Sequence, residues 1–333
     1  MARPPGLAVA PVTEARHHAM KYDRLGFPIP PEFTAPDPRA DLPACGPASP
    51  PPLPRTVGRG KRLLVLGLLA AVVIPGAIAP GLMPAVSEVV VHWSLERAVS
   101  REARGELPAA IGHVGRAIAW TRGDPERRGR LLCWRAMLRL EDGDPRGAAA
   151  DADRAVEIAP TMTQPRRVRA LAHVILEERD LALADAQAAV DLAGPGDPEA
   201  LNHRAYIRAL VGRELEPALA DIDAAIADGG EATPEFFDTK AFILHLLGRH
   251  HEAVDLLNVA IDGAQKARRD LAALDGHADP DELATRLRAA DHGLAVMHHH
   301  RARACRALGL ERQARQDYET ADRKGYAPEK GIF

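Results

Sequence analysis

Residues Ala209 to Ile226 read ALVGRELEPALADIDAAI, and Leu246 to Ile261 read LLGRHHEAVDLLNVAI. In each stretch a glycine (Gly212, Gly248) is followed by an alanine (Ala218, Ala253), a large apolar residue four positions later (Ile222, Leu257), and a second alanine (Ala225, Ala260). The seven-residue gap between the alanines places both on one face of a helix, and the glycine marks a tight turn from a preceding helix. Each stretch therefore reads as the middle of an antiparallel helical hairpin with small side chains at its seam.

The pattern extends in both directions. Three small-residue positions recur in order: Ala98, Ala110, Ala117; Ala136, Ala148, Ala155; Ala170, Ala182, Ala189; Ala205, Ala218, Ala225; Ala241, Ala253, Ala260; and Ala302, Ala314, Ala321. The first gap is 12 residues in every set except the fourth, where it is 13, and the second gap is always 7. A self-similar unit of this length predicts an array of stacked hairpins. The third unit has Glu177 where the others have a turn glycine.

Together with ALGLERQARQDYETADRKGYAP, from Ala307 to Pro328, these residues resemble the tetratricopeptide repeat (TPR). That family's unit of roughly 34 residues carries a small residue in its first helix, a turn, and the paired alanines in its second. The expected fold is all-α: a TPR-like helical-hairpin solenoid of about six repeats over residues 88–333, following a Pro-rich disordered tail and a single transmembrane helix. Steps between the first alanines are 38, 34, 35, 36 and 61 residues. The last step holds roughly 25 residues beyond a normal unit, which predicts an inserted helical hairpin over about 262–293 that turns near Gly276.

Ahead of the repeats, 14 of the 28 prolines lie in the first 54 residues, and no apolar period is sustained there. Residues 1–60 are expected to be a disordered basic tail. Within it, KYDRLGFPIPPEF (21–33) gathers three aromatics and two aliphatics, a composition suited to a short extended or polyproline-like docking motif, and equally that of a plain linker. Lys61-Arg62 then opens an uncharged run from Leu63 to Ser87, long enough to span a bilayer. Pro75, Pro80 and Pro84 and the all-round apolarity of the run disfavour a buried soluble helix. Residues 61–87 are thus expected to form a single transmembrane helix. Arg55, Arg59, Lys61 and Arg62 crowd its N-terminal flank, whereas no Lys or Arg follows until Arg97. That asymmetry predicts a cytoplasmic tail and extracytoplasmic repeats.

Charge narrows the partner class. Residues 1–62 hold 9 Lys/Arg against 5 Asp/Glu, and the remainder holds 34 against 41. An acidic body gives no reason to expect nucleic acid. Cys45, Cys133 and Cys305 match neither metal-ligand spacing nor a disulfide framework. Met297-His298-His299-His300 suggests a metal site, but consecutive helical residues point about 100° apart and cannot converge on one ion. No phosphate loop or nucleophile elbow is present. Neither a cofactor nor a catalytic residue is expected.

In the TPR family the first helix of each repeat lines the concave wall. The resemblance places there Arg130, Trp134, Met137, Arg167, Asn202, His203, Tyr206, Asp238, Phe242, His245, His299, Arg303 and Arg306. Aromatic anchors beside cations and amides suit an extended or helical peptide, an acidic one in particular. The charged clamp with which some family members hold a C-terminal carboxylate is absent, since Asn202 stands alone. The expected role is a non-catalytic, membrane-anchored scaffold for a protein or peptide. The alternatives are an enzyme or metal-dependent module built on the His/Arg-rich last repeat, and a cytoplasmic adaptor.

Overall fold

The structure is a computed structural model that describes Lys21–Tyr22, Pro28–Ile29 and residues 82–194, 196–228 and 233–327. Within these residues twelve helices follow one another: α1 (Leu82–Ala103), α2 (Leu107–Trp120), α3 (Pro125–Glu141), α4 (Pro145–Ile158), α5 (Gln164–Ile175), α6 (Arg179–Ala193), α7 (Pro198–Val211), α8 (Leu215–Asp228), α9 (Pro234–Leu246), α10 (His250–Ala272), α11 (Pro280–Ala307) and α12 (Glu311–Arg323). They pack as six consecutive hairpins, each also packed on the next.

The alanine seam explains the close packing. All eighteen repeated alanines are buried, seventeen of them completely and Ala314 at 2% exposure. A methyl group at each of these positions lets two helix backbones approach where a larger side chain would hold them apart. Val114, Ala152, Ala186, Ile222 and Leu257 fill the space between the paired alanines and are fully buried too. The core consequently runs along the array as three successive apolar clusters.

Turn geometry follows one rule. At Gly248 the backbone is left-handed, with φ 81, and the next amide, Arg249 N–H, donates to Leu244 C=O at 2.8 Å, closing the helix end. Glu177 occupies the same place in the third hairpin with φ 60, and Glu178 N–H donates to His173 C=O at 2.8 Å. The turn is thus imposed even where the residue carries a Cβ, at a cost of about 1–2 kcal/mol. The fourth hairpin uses two left-handed residues, Gly212 and Glu214, which accounts for its longer alanine gap. Helix starts recur as well: Asp124, Asp144, Asp197 and Asp279 each precede a proline and accept a backbone N–H from two or three residues on.

A second periodic device was not read from the sequence. The residue just before the first alanine and the residue three after the second pair across the hairpin: Arg135 with Asp151, Arg169 with Asp185, Arg204 with Asp221, and Arg301 with Asp317. Each pair is bidentate. The same cation also reaches back to the preceding hairpin: Arg169 to Asp153 at 2.7 Å, Arg204 to Gln187 at 2.8 Å, and Arg301 to Asn258 at 2.9 Å. In the fifth hairpin Lys240 reaches Asp223 at 2.6 Å.

α1 begins at Leu82, ahead of the expected boundary at 88. Pro84 is accommodated because the first-turn amides of a helix have no partner within it. The extra residues before the sixth repeat lengthen α10 to Ala272 and start α11 at Pro280. The N-terminal half of α11 packs on α1, where the Arg288 guanidinium donates to the carbonyls of Glu102 and Ala103. A cation at a helix C-terminus satisfies carbonyls left open there. The array therefore curls until its first and last hairpins touch.

The tail differs from its expected form at one point: Lys21–Tyr22 and Pro28–Ile29 pair as antiparallel two-residue strands, Lys21 opposite Ile29 and Tyr22 opposite Pro28. Tyr22 and Ile29 are strand-favouring residues. Residues 61–81 of the expected membrane span lie outside the described residues, and its last six open α1. Among the described residues no helix is long and apolar enough to cross a membrane.

Candidate functional site

The first helices of hairpins two to six (α3, α5, α7, α9 and α11) carry all thirteen expected wall residues. Their environments divide them into distinct groups.

Residues of α7, α9 and α11 form a continuous row. Tyr206 meets Phe242 edge to face at 6.3 Å between ring centroids, and Phe242 stacks on His300 at 4.3 Å with 4° between the planes. The Arg303 guanidinium lies 5.4 Å from the centre of the Phe242 ring. Beneath them, His300 Nδ1 and Asp238 Oδ1 are 2.9 Å apart, and both side chains are buried. Burial, with Asp238 and Tyr326 nearby, pushes the Tyr206 phenol well above its usual range. One turn along α9, His245 Nδ1 lies 3.1 Å from His250 Nδ1. Burial, then Arg303, His250 and His300, push His245 down to about 4, so it is neutral at pH 7.

His299, another of the expected wall residues, lies beside His300 with ring centroids 6.4 Å apart. It stacks on Tyr326 at 3.9 Å and meets Tyr318 at 5.4 Å. His300, one residue on and so about 100° around the helix, takes the place on Phe242. The sequence expectation rested on spacing from Ala302, which fixes the helix but not its rotation against α9. His298 faces a third way, with Nδ1 2.7 Å from Asp317 Oδ1. Burial, then His300, Arg303 and Arg306, lower His299 to about 4.

Of the other expected wall residues, Trp134 and Arg167 join first helices to one another. Trp134 Nε1 donates to Glu102 on α1 at 3.0 Å. Arg167 is buried and lies 3.7 Å from Glu199 on α7. His203 is buried beside it and lowered well below its ordinary value, by burial first and Arg167 second. Met137 is in the core at 5% exposure. Arg130 pairs with Glu126 at 3.3 Å. Asn202 is half-buried, and its Oδ1 accepts no hydrogen bond among the described residues.

Arg303 and Arg306 are the cations left for a ligand. Neither makes an ion pair among the described residues, and Arg306 lies over Tyr318 at 5.7 Å. Phe242 and His300 are themselves buried, at 4% and 3% exposure, so the row presents half-buried Tyr206 and Arg303 and exposed Arg306 at its surface. Among the described residues no group of three or more His, Cys, Asp or Glu side chains is placed to hold a metal ion. Cys133 and Cys305 are fully buried, and burial pushes the Cys305 thiol up. Asp238 and His300 were the residues that spacing could not pair, being 62 apart with the long insertion between them.

No family model matches the sequence, and no curated protein matches it. Among solved structures it is similar to a thermophilic TPR protein of Thermus thermophilus, at 24% identity and TM-score 0.45, covering 55% of this chain and 97% of that one. It is similar also to a tetratricopeptide repeat protein of Parabacteroides merdae, at 17% identity and TM-score 0.43, covering 71% and 94%. A third is MamA of Desulfovibrio magneticus, at 15% identity and TM-score 0.41, covering 53% and 96%. The hairpin geometry of the chain itself, paired helices on a buried alanine seam, is TPR-like.

Proposed function

We propose that the protein is a non-catalytic, membrane-anchored scaffold that holds an extended, acidic segment of a partner protein against α7, α9 and α11. The observation that carries this reading is the row Tyr206–Phe242–His300–Arg303, in which half-buried Tyr206 and Arg303 flank the buried rings of Phe242 and His300, and Arg303 makes no ion pair among the described residues. Aromatic and arginine side chains supply most of the energy of such interfaces. Asn202 stands four residues before Tyr206 on α7, and Arg303 with Arg306 favours carboxylates. The anchoring part of the proposal rests on the apolar run from Leu63 and the basic flank before it, with the repeats on the extracytoplasmic side.

The binding claim is tested by fluorescence anisotropy of the full chain with labelled peptides: acidic and aromatic, the same composition with charge reversed, and KYDRLGFPIPPEF as a separate probe. The expected result is binding of the acidic set and its loss on Phe242→Ala and Arg303→Glu. Equal affinity for acidic and charge-reversed peptides, unchanged by either substitution, would overturn it.

A further inference from the structure

The first hairpin has an end that the others lack. Five residues before the first alanine of each repeat stand Trp93, Leu131, Pro165, Ala200, Phe236 and Met297. The last five are buried where each hairpin meets the one before it, whereas Trp93 is 41% exposed. Along α1 the exposed residues Ala85, Val89, Trp93 and Arg97 recur every four positions, forming one stripe. Its polarity is ordered: apolar residues lie nearest Leu82, where the chain arrives from the run beginning at Leu63, then the indole, then the cation. Each step is roughly 6 Å along the helix axis.

α2 adds a second cation. Arg97 lies 5.1 Å and Arg116 5.6 Å from the Trp93 ring centre, and His113 meets the indole edge-on at 5.9 Å. His113 stands where four other hairpins place the aspartate that neutralises their arginine. Burial, then Arg116, Arg97 and Arg101, lower its proton affinity. Arg97 and Arg116 make no ion pair among the described residues, while the carboxylates beside the stripe are engaged, Glu88 with Arg127 at 2.7 Å and Glu96 with His92 at 3.4 Å.

We propose that this stripe is the protein's seat on the bilayer surface, with Val89 and Trp93 at the boundary of headgroups and acyl chains and Arg97 and Arg116 holding lipid phosphates. Tryptophan favours that boundary, and arginine grips phosphate with a two-pronged fork. The proposal rests on the anchored reading above and specifies how the first repeat meets the membrane.

The test reconstitutes the full chain in vesicles of phosphatidylcholine with a minority of phosphatidylglycerol, with and without lipids brominated near the carboxyl end of the acyl chain. Flotation reports anchoring; the emission difference between the intact chain and Trp93→Phe reports Trp93. The expected result is co-flotation, quenching of the Trp93 component by bromine, and weakening of that contact by about fivefold for each of Arg97→Glu and Arg116→Glu. Co-flotation with Trp93 unquenched would overturn the seat and leave the anchor standing. Failure to float would overturn the anchored reading itself. Cross-linking of Trp93 to a second copy of the chain in those vesicles would assign the stripe to self-association and overturn the proposal.

Discussion

Arg169 bonds in two-pronged fashion to Asp185 across its own hairpin, Nη2 to Oδ1 at 2.6 Å and Nε to Oδ2 at 2.8 Å. The same guanidinium reaches Asp153 of the preceding hairpin at 2.7 Å. Four carboxylates of this type, Asp151, Asp185, Asp221 and Asp317, are paired in this way and shielded from water. Removing the cation leaves a shielded charge without its partner, which is more costly than the pair is stabilising. Arg169→Ala should lower stability by about 2–4 kcal/mol in a urea melt. Arg169→Lys should recover less than half of that, since one ammonium cannot serve two carboxylates in fork geometry.

Glu177 is held in the left-handed region that glycine occupies in the other turns. Glu177→Gly should raise stability by about 0.5–1 kcal/mol, the relief of Cβ strain being partly offset by a more flexible unfolded chain. Glu214→Gly should gain less, because the native carboxylate pairs with Arg208 at 2.9 Å. Thermal denaturation of the two variants side by side checks the order.

His245 and His299 are lowered to about 4 in the fold from an ordinary 6.5. Their neutral forms are the folded forms, so the unfolded chain takes up protons first as the pH falls. The stability they contribute is complete above about 6.5 and is lost progressively toward pH 4. Buried His203, lowered by burial and then Arg167, acts in the same direction. The melting temperature should fall across this window, and His299→Gln should flatten the slope; an unchanged slope would show that His299 is not the group titrating.

Arg288 ties the long helix α11 to the end of α1. Arg288→Ala should let the ring open, seen as a larger radius of gyration in small-angle scattering with helical content unchanged. A radius equal to that of the parent would show that apolar packing alone closes the array.

How far the sequence reveals this molecule depends on how local each cause is. The alanine seam depends on spacing within two adjacent helices, and all eighteen positions are buried. The arginine–aspartate ladder was equally legible, since Arg precedes the first alanine and Asp follows the second by three in four repeats. The contact of α11 with α1 joins residues 186 apart in the chain, and no local pattern encodes it. The choice of His300 over His299 depends on the rotation of α11 against α9, which packing over many residues decides.

The central claim is that the wall built by α7, α9 and α11 is the partner-binding surface. A photoreactive amino acid placed at Asn202 in the full chain, in intact cells, tests it most directly, with the same group at exposed Val259 on α10 as control. The account predicts one discrete cross-linked protein from position 202, abolished by Phe242→Ala with Arg303→Glu, and none from position 259. Cross-links from 259 that survive those substitutions, with none from 202, would contradict it.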